Sequence, residues 1–279
     1  MIIDNFLEEY IHGDKFLPVA DFVVTERRRD LNKSLLDNNA CVLCHTHFLE
    51  DLFNFISKSP HKYIVVSHNS DYNISEQIYS LKSKNVVKWY AQNVIIEKSD
   101  LIPLPIGIER PGCGWSWDMK LLQTEAEQPA LYENLLYMCH SDSTNPKKRA
   151  PLTKNLKDKL WVTRQDKKIE FKNYLKRLHN HKMVLSPQGN GADCLRTWEA
   201  LYLGVIPVTE DIPLNRYFSK LLPIIISEDL KNITEEFLWE KYYEIKSNIE
   251  KNKYNFDALK ISYWNNKISR DKKLLLGRQ

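Results

Sequence analysis

The stretch Leu185-Ser186-Pro187-Gln188-Gly189-Asn190-Gly191-Ala192-Asp193-Cys194-Leu195-Arg196-Thr197-Trp198-Glu199-Ala200, closed by Gly204-Val205-Ile206-Pro207-Val208, reads as strand, loop, helix and strand in succession. An apolar strand ends at Ser186-Pro187. Two glycines in the loop allow a ligand to approach the backbone closely. Asp193 is an N-cap candidate for a helix over 193–203. The free N–H groups and positive dipole end of that helix form a site for an anion. Arg196 and Glu199 are three apart and share a face near the helix mouth. An arginine there suits a diphosphate, and a glutamate suits a ribose diol. On its own, a glycine-rich turn with a helical Arg–Glu pair is also what any α/β unit can carry.

The same alternation runs outward in both directions. Short β-branched runs predict strands over 21–25, 40–44, 63–66, 86–90 and 101–106, with helices over 49–57 and 75–84. A second series predicts strands over 135–139, 183–186, 206–208 and 224–226, and a helix with one basic face over 167–177. This alternation predicts an α/β chain with parallel sheets. The Pro/Gly-rich piece 111–117 and the polar run to Pro129 read as an exposed connection. The expected domains are therefore 1–128 and 129–257, with a helix over 258–279 packing back on the first. Polar clusters follow the strand ends of the first half: Glu26-Arg27-Arg28, His45-Thr46-His47, Ser67-His68-Asn69-Ser70-Asp71, Gln92-Asn93 and Gly107-Ile108-Glu109-Arg110. Ligands of open parallel sheets bind beyond the carboxyl ends of the strands, so these clusters are expected to line one edge.

The order of glycine loop, Arg, Trp-Glu-Ala and Gly-x-x-Pro-Val over about 25 residues resembles the donor-binding motif of exostosin-like glycosyltransferases, and is similar to the Arg and Glu of fucosyltransferases. Met138-Cys139-His140-Ser141-Asp142-Ser143-Thr144-Asn145-Pro146-Lys147-Lys148-Arg149 resembles the first strand and loop of such donor domains. The resemblance implies a GT-B architecture, two Rossmann-like domains facing each other across a cleft. It implies inverting transfer from a UDP-sugar to a hydroxyl of an oligosaccharide or glycoprotein glycan, with xylose the first choice of sugar. Asn145, Arg149, Ser186, Gly189, Asn190, Gly191, Asp193, Arg196 and Glu199 are the implied donor-site residues, with Arg149 a second phosphate partner. The chain contains no Asp-x-Asp, the pair with which GT-A enzymes hold a metal on the diphosphate, so neither metal nor cofactor is expected. A GDP-fucose-type transferase and a non-catalytic nucleotide-sugar or glycan-binding module are the alternatives.

Inverting transfer needs a base for the acceptor hydroxyl. Asp71 is the first choice and His68 the second, both directly after a strand; Asp71 as a helix cap ahead of Ile74 is the competing reading. His45, Asn69, Glu109 and Arg110 are expected at the acceptor side, with a structural ion pair the alternative for the last two. Trp115 and Trp117 either stack on a sugar or pack at the domain junction. Cys41-Val42-Leu43-Cys44-His45 matches a haem attachment pattern, and with His47 a zinc set, but all are crowded on one strand end, unlike the loop spacings of structural zinc sites.

Composition sets the remaining bounds. With 43% hydrophobic and 27% charged residues over 279, a packed core is expected rather than disorder. A net charge of +4 is too small to point to nucleic acid. No apolar run of membrane-spanning length and no basic–apolar leader occurs, and five cysteines are an odd number. A soluble, cytoplasmic protein with reduced thiols, bacterial or virus-encoded, is the expectation.

Overall fold

The computed structural model describes residues 4–110 and 118–277. The chain divides into two compact units, Ile11–Ile106 with Ile261–Gln279, and Met1–Tyr10 with Gly107–Lys260. Each is built on a five-stranded parallel sheet, the mixed α/β, Rossmann-like architecture expected of a GT-B chain.

The first sheet holds β1 (Phe22–Val24), β2 (Ala40–His45), β3 (Tyr63–His68), β4 (Val86–Ala91) and β5 (Leu101–Pro103) in sequential order. Both faces are covered, so β2 and β3 are apolar almost throughout and end in histidine. Ala40, Val42 and Cys44 point into one core with Tyr63, Val65 and Trp89 and with Leu49, Leu52 and Phe53 of the Leu49–Ile56 helix. The other face is met by the Ile261–Leu276 helix and the Gly13–Val19 turn. The Tyr90 hydroxyl donates to Asp271 at 2.6 Å, Asn39 donates to the Leu276 carbonyl at 3.1 Å, and Lys272 reaches the Val19 carbonyl at 2.7 Å. Trp264 and Ile268 of this helix are fully buried.

The second sheet holds β6 (Asn134–Met138), β7 (Val162–Arg164), β8 (His181–Leu185), β9 (Ile206–Glu210) and β10 (Ile225–Ser227), in the order β10-β9-β8-β6-β7. The chain leaves β6 for β7 on one side and returns as β8 on the other. The order therefore reverses between β6 and β8, and the crevice beyond their carboxyl ends is where such sheets bind ligands. The loops at that crevice are the two quoted for the donor motif.

Several local expectations differ from the structure. The segment after Asn145, expected as part of a loop through Arg149, is the helix Pro146–Leu156: proline occupies its first turn, Asn145 accepts from Lys148 N, and Leu152 and Leu156 are buried beneath its exposed lysines. Met119–Ala126 is a helix capped by Asp118 inside the supposed exposed connection, and it buries Met119 and Leu122. β7 has three residues and carries too little periodicity to read. The helix after the glycine loop is Leu195–Tyr202; Cys194 stands at its N-cap, and Asp193 does not cap it. The Asp193 carboxylate instead accepts from its neighbour's Cys194 N at 2.8 Å and from Trp198 Nε1 at 3.0 Å, because the buried indole N–H inside the helix needs that acceptor. Asp71 is likewise no cap: Ser75 accepts from Ile78 N at the start of Glu76–Ser80.

Candidate functional site

The floor of the second-sheet crevice is an arginine clamp. Arg149, 5% exposed, donates Nε to the Gln188 carbonyl at 2.9 Å, Nη2 to that of Pro187 at 3.0 Å and Nη1 to that of Ser141 at 3.1 Å. Asn145 Nδ2 donates to the Gly189 carbonyl at 2.9 Å. One planar guanidinium thus ties the β6 loop to the β8 loop. The residue expected as a phosphate partner spends three of its five donors on backbone and so holds the glycine loop. Gly189 leaves room for this contact: a Cβ there would press on Arg149 Nη2 at 3.0 Å. Glu210 accepts from Gln188 N at 3.1 and 3.2 Å, and Ser186 Oγ and Thr197 Oγ1 lie 2.8 Å apart, joining the end of β8 to the helix that follows. Asn190 is exposed, and Gly191 is buried.

Above this floor, Arg196 donates Nε to Cys139 Sγ at 3.1 Å. Burial pushes the Cys139 thiol up even beside this guanidinium, so it stays protonated. Glu199 is 2% exposed. Its Oε2 accepts from the Tyr174 hydroxyl at 2.5 Å, and its Oε1 has no hydrogen-bond partner. Burial pushes the Glu199 carboxyl up to about 7; the Tyr174 hydrogen bond and the Arg196 charge act against that rise, and Glu109 adds to it. His140, 1% exposed, is held down to about 3 by burial and by the charges of Arg196, Arg164 and Arg149. Arg164 donates to the His140 carbonyl at 3.0 Å and pairs with Asp166 at 2.8 Å. Three guanidinium groups therefore act on one loop end, with Asp142 and Asp166 beside Arg164.

Residues 137–261 match the model of the RXYLT1 C-terminal domain family, a xylosyltransferase domain of exostosin-like type. Residues 137–261, less than half of the chain, are thus similar to an exostosin-like glycosyltransferase domain. No curated protein sequence matches it significantly. Among solved structures, it is similar to the pneumococcal O-GlcNAc transferase GtfA, determined in complex with UDP and GlcNAc. That likeness has 11% identity and a TM-score of 0.38, covering 82% of this chain and 56% of that one, so the chain spans little more than half of that enzyme.

The matched range includes every residue expected at the donor site from sequence, and two neighbours of those residues that were not expected. Arg164 lies at the end of the short β7, and Tyr174 on the Phe171–His179 helix, whose pattern shows only its basic face. A tyrosine among apolar positions of that helix, opposite a buried glutamate, is a signal that needs the tertiary fold to be seen. Glu109 and Arg110 belong to the same unit and are partly exposed; Arg110 N donates to Glu109 Oε1 at 3.0 Å.

The other expected residues gather in the first-sheet unit. His68 is 1% exposed, with Nε2 2.9 Å from the Pro105 carbonyl and Nδ1 3.2 Å from Asn69 Oδ1. Burial holds it down to about 4, against the help of both contacts. With both nitrogens engaged, His68 braces its loop. Asn69 sits at φ 58°, in the left-handed region, and its Nδ2 contacts Asp14 Oδ1 at 2.9 Å and His45 Nε2 at 3.2 Å. Gly13 makes room for this: a Cβ there would lie 1.9 Å from Asn69 Oδ1. Asp71 is exposed two residues on. Cys41 and Cys44 are buried free thiols, and Cys139 and Cys194 are also free. Trp115 and Trp117 lie outside the described residues, among which no helix is long and apolar enough to cross a membrane.

Proposed function

We propose that the protein transfers a sugar from a UDP-sugar to a hydroxyl of a glycan acceptor, an oligosaccharide or a glycoprotein glycan, with inversion and with no metal on the donor diphosphate. The observation that carries this reading is Glu199: a buried carboxylate with one oxygen fixed by Tyr174 and the other without a partner. A buried acceptor left unmade costs about 1–3 kcal/mol, and a ribose hydroxyl donating to Oε1 would remove that cost. Arg196, one helical turn earlier on the same face, and the free N–H groups at the helix start would take the charge of the diphosphate. Arg149 and Asn145 would act indirectly, by fixing the loop carbonyls so that the glycine backbone stays open to the donor.

In this mechanism, Asp71 takes the proton of the acceptor hydroxyl. The acceptor oxygen bonds to the anomeric carbon as the bond to the diphosphate breaks, and UDP leaves against Arg196. Xylose remains the first choice of sugar, supported by the family of the domain match. The free thiols fit a reducing, cytosol-like compartment.

Calorimetric titration with UDP, GDP and their sugars tests the donor. UDP and a UDP-sugar should bind and GDP-fucose should not; binding of GDP-fucose alone would make the chain a fucosyltransferase-type protein. Asp71→Asn should abolish transfer and leave UDP binding unchanged. Donor binding without transfer to any glycan by the unaltered chain would leave a nucleotide-sugar-binding module.

A further inference from the structure

Three side chains in the first-sheet unit are not used by the proposed transfer. Glu26 follows β1, His45 ends β2, and His47 lies two residues beyond it. Glu26 Oε2 is 2.6 Å from His45 Nδ1, and Glu26 Oε1 is 2.7 Å from His47 Nε2. One ligand atom from each of the three lies within 4.8 Å of the others. His45 is buried, while Glu26 and His47 keep side-chain exposures of 55% and 32%. The set is thus anchored at one member and open to water at the other two.

We propose that Glu26, His45 and His47 form a binding site for a divalent transition-metal ion. Two imidazoles and one carboxylate suit zinc, cobalt or manganese; magnesium and calcium prefer all-oxygen sets. Three protein ligands leave a position for water on the open side. Cys41 and Cys44 are not part of the site: they are buried within the strand, and the Cys44 thiol donates to the His45 carbonyl at 3.2 Å.

Behind the cluster, Asn69 Nδ2 lies 3.2 Å from His45 Nε2 and donates to Asp14 Oδ1 at 2.9 Å, so His45 is tied to the Gly13–Val19 turn. A proton shared between His45 and Glu26 is the alternative to a metal ion, and the experiment separates the two.

The full chain, freed of metal with a chelator, is titrated with Co(II) followed by visible absorption and with Zn(II) by calorimetry. The proposal expects one equivalent bound, a cobalt spectrum without a thiolate charge-transfer band, and an affinity at least about tenfold weaker in His47→Ala and Glu26→Gln. Both residues are exposed, so these variants keep the fold, which circular dichroism verifies. No binding at ~100 µM metal, or equal binding by both variants, overturns it. So does an imidazolium signal from His45 that zinc does not displace.

Discussion

Tyr174 donates its hydroxyl to Oε2 of Glu199 at 2.5 Å, and Oε1 of the same carboxylate is buried with no partner. The two residues come from the Phe171–His179 and Leu195–Tyr202 helices, beside the point where the strand order of the second sheet reverses. One carboxylate oxygen is therefore positioned by Tyr174, and the other has no hydrogen-bond partner among the described residues.

The sign of the pH dependence follows. The folded-state pKa of Glu199, about 7, lies above its ordinary value. The free protein is favoured by this group at low pH and loses that contribution as the pH rises toward and through 7. Ribose hydroxyls prefer the ionised carboxylate, so UDP should bind with proton release. Its affinity should rise about tenfold from pH 6 to pH 8, in line with one pKa unit per tenfold change. Calorimetry in buffers of different ionisation enthalpy measures the protons released. Tyr174→Phe removes a hydrogen bond that favours the charged form, so the midpoint should move above that of the unaltered protein. A flat profile would mean that Glu199 does not titrate on binding.

Arg149→Lys keeps the charge and loses the fork. The carbonyls of Ser141, Pro187 and Gln188 cannot all be served by one ammonium at the guanidinium distances. Denaturant unfolding should show a loss of about 2–4 kcal/mol, from buried acceptors left without donors. UDP binding should weaken as the glycine loop loosens. A variant with unchanged stability would remove the clamp from the account.

Trp264, fully buried on the Ile261–Leu276 helix, belongs to the first-sheet unit despite its distance in sequence. Trp264→Ala should cost about 3–5 kcal/mol, as large aromatic truncations in cores do. Scanning calorimetry should show this as a lower melting temperature for one transition, while UDP raises the melting temperature of the other. If UDP shifts the transition that the substitution lowers, the donor is bound to the wrong unit for this account.

Much of the architecture is visible in the chain itself. The apolar runs of β2 and β3 and Met183-Val184-Leu185 of β8 announce buried parallel strands, and Pro187-Gln188-Gly189 marks the loop beyond β8. Arg196 and Glu199 are placed together by helical spacing alone. What sequence conceals is how side chains are used after folding. The resemblance places Arg149 and Asn145 at the donor site, but nothing in the sequence shows that they also serve carbonyls of Gln188 and Gly189 about forty residues away. Asp193 reads as a cap, but a buried indole competes for its carboxylate. Tyr174 and Arg164 carry no local signal, since each has meaning only opposite a residue from another element. The pairing of Glu26 with His45 and His47 needs the register of β1 against β2, which no single-strand pattern contains.

The most direct test of the central claim compares UDP with 2′,3′-dideoxy-UDP on the unaltered chain and on Glu199→Gln, by calorimetry at pH 8. If Glu199 Oε1 receives the ribose, the unaltered chain should bind UDP about 10–100-fold more tightly than the dideoxy analogue, the range for losing a hydrogen bond to a charged group, and Glu199→Gln should bind the two almost equally. Equal binding of both nucleotides by the unaltered chain, or undiminished discrimination by Glu199→Gln, would contradict the account.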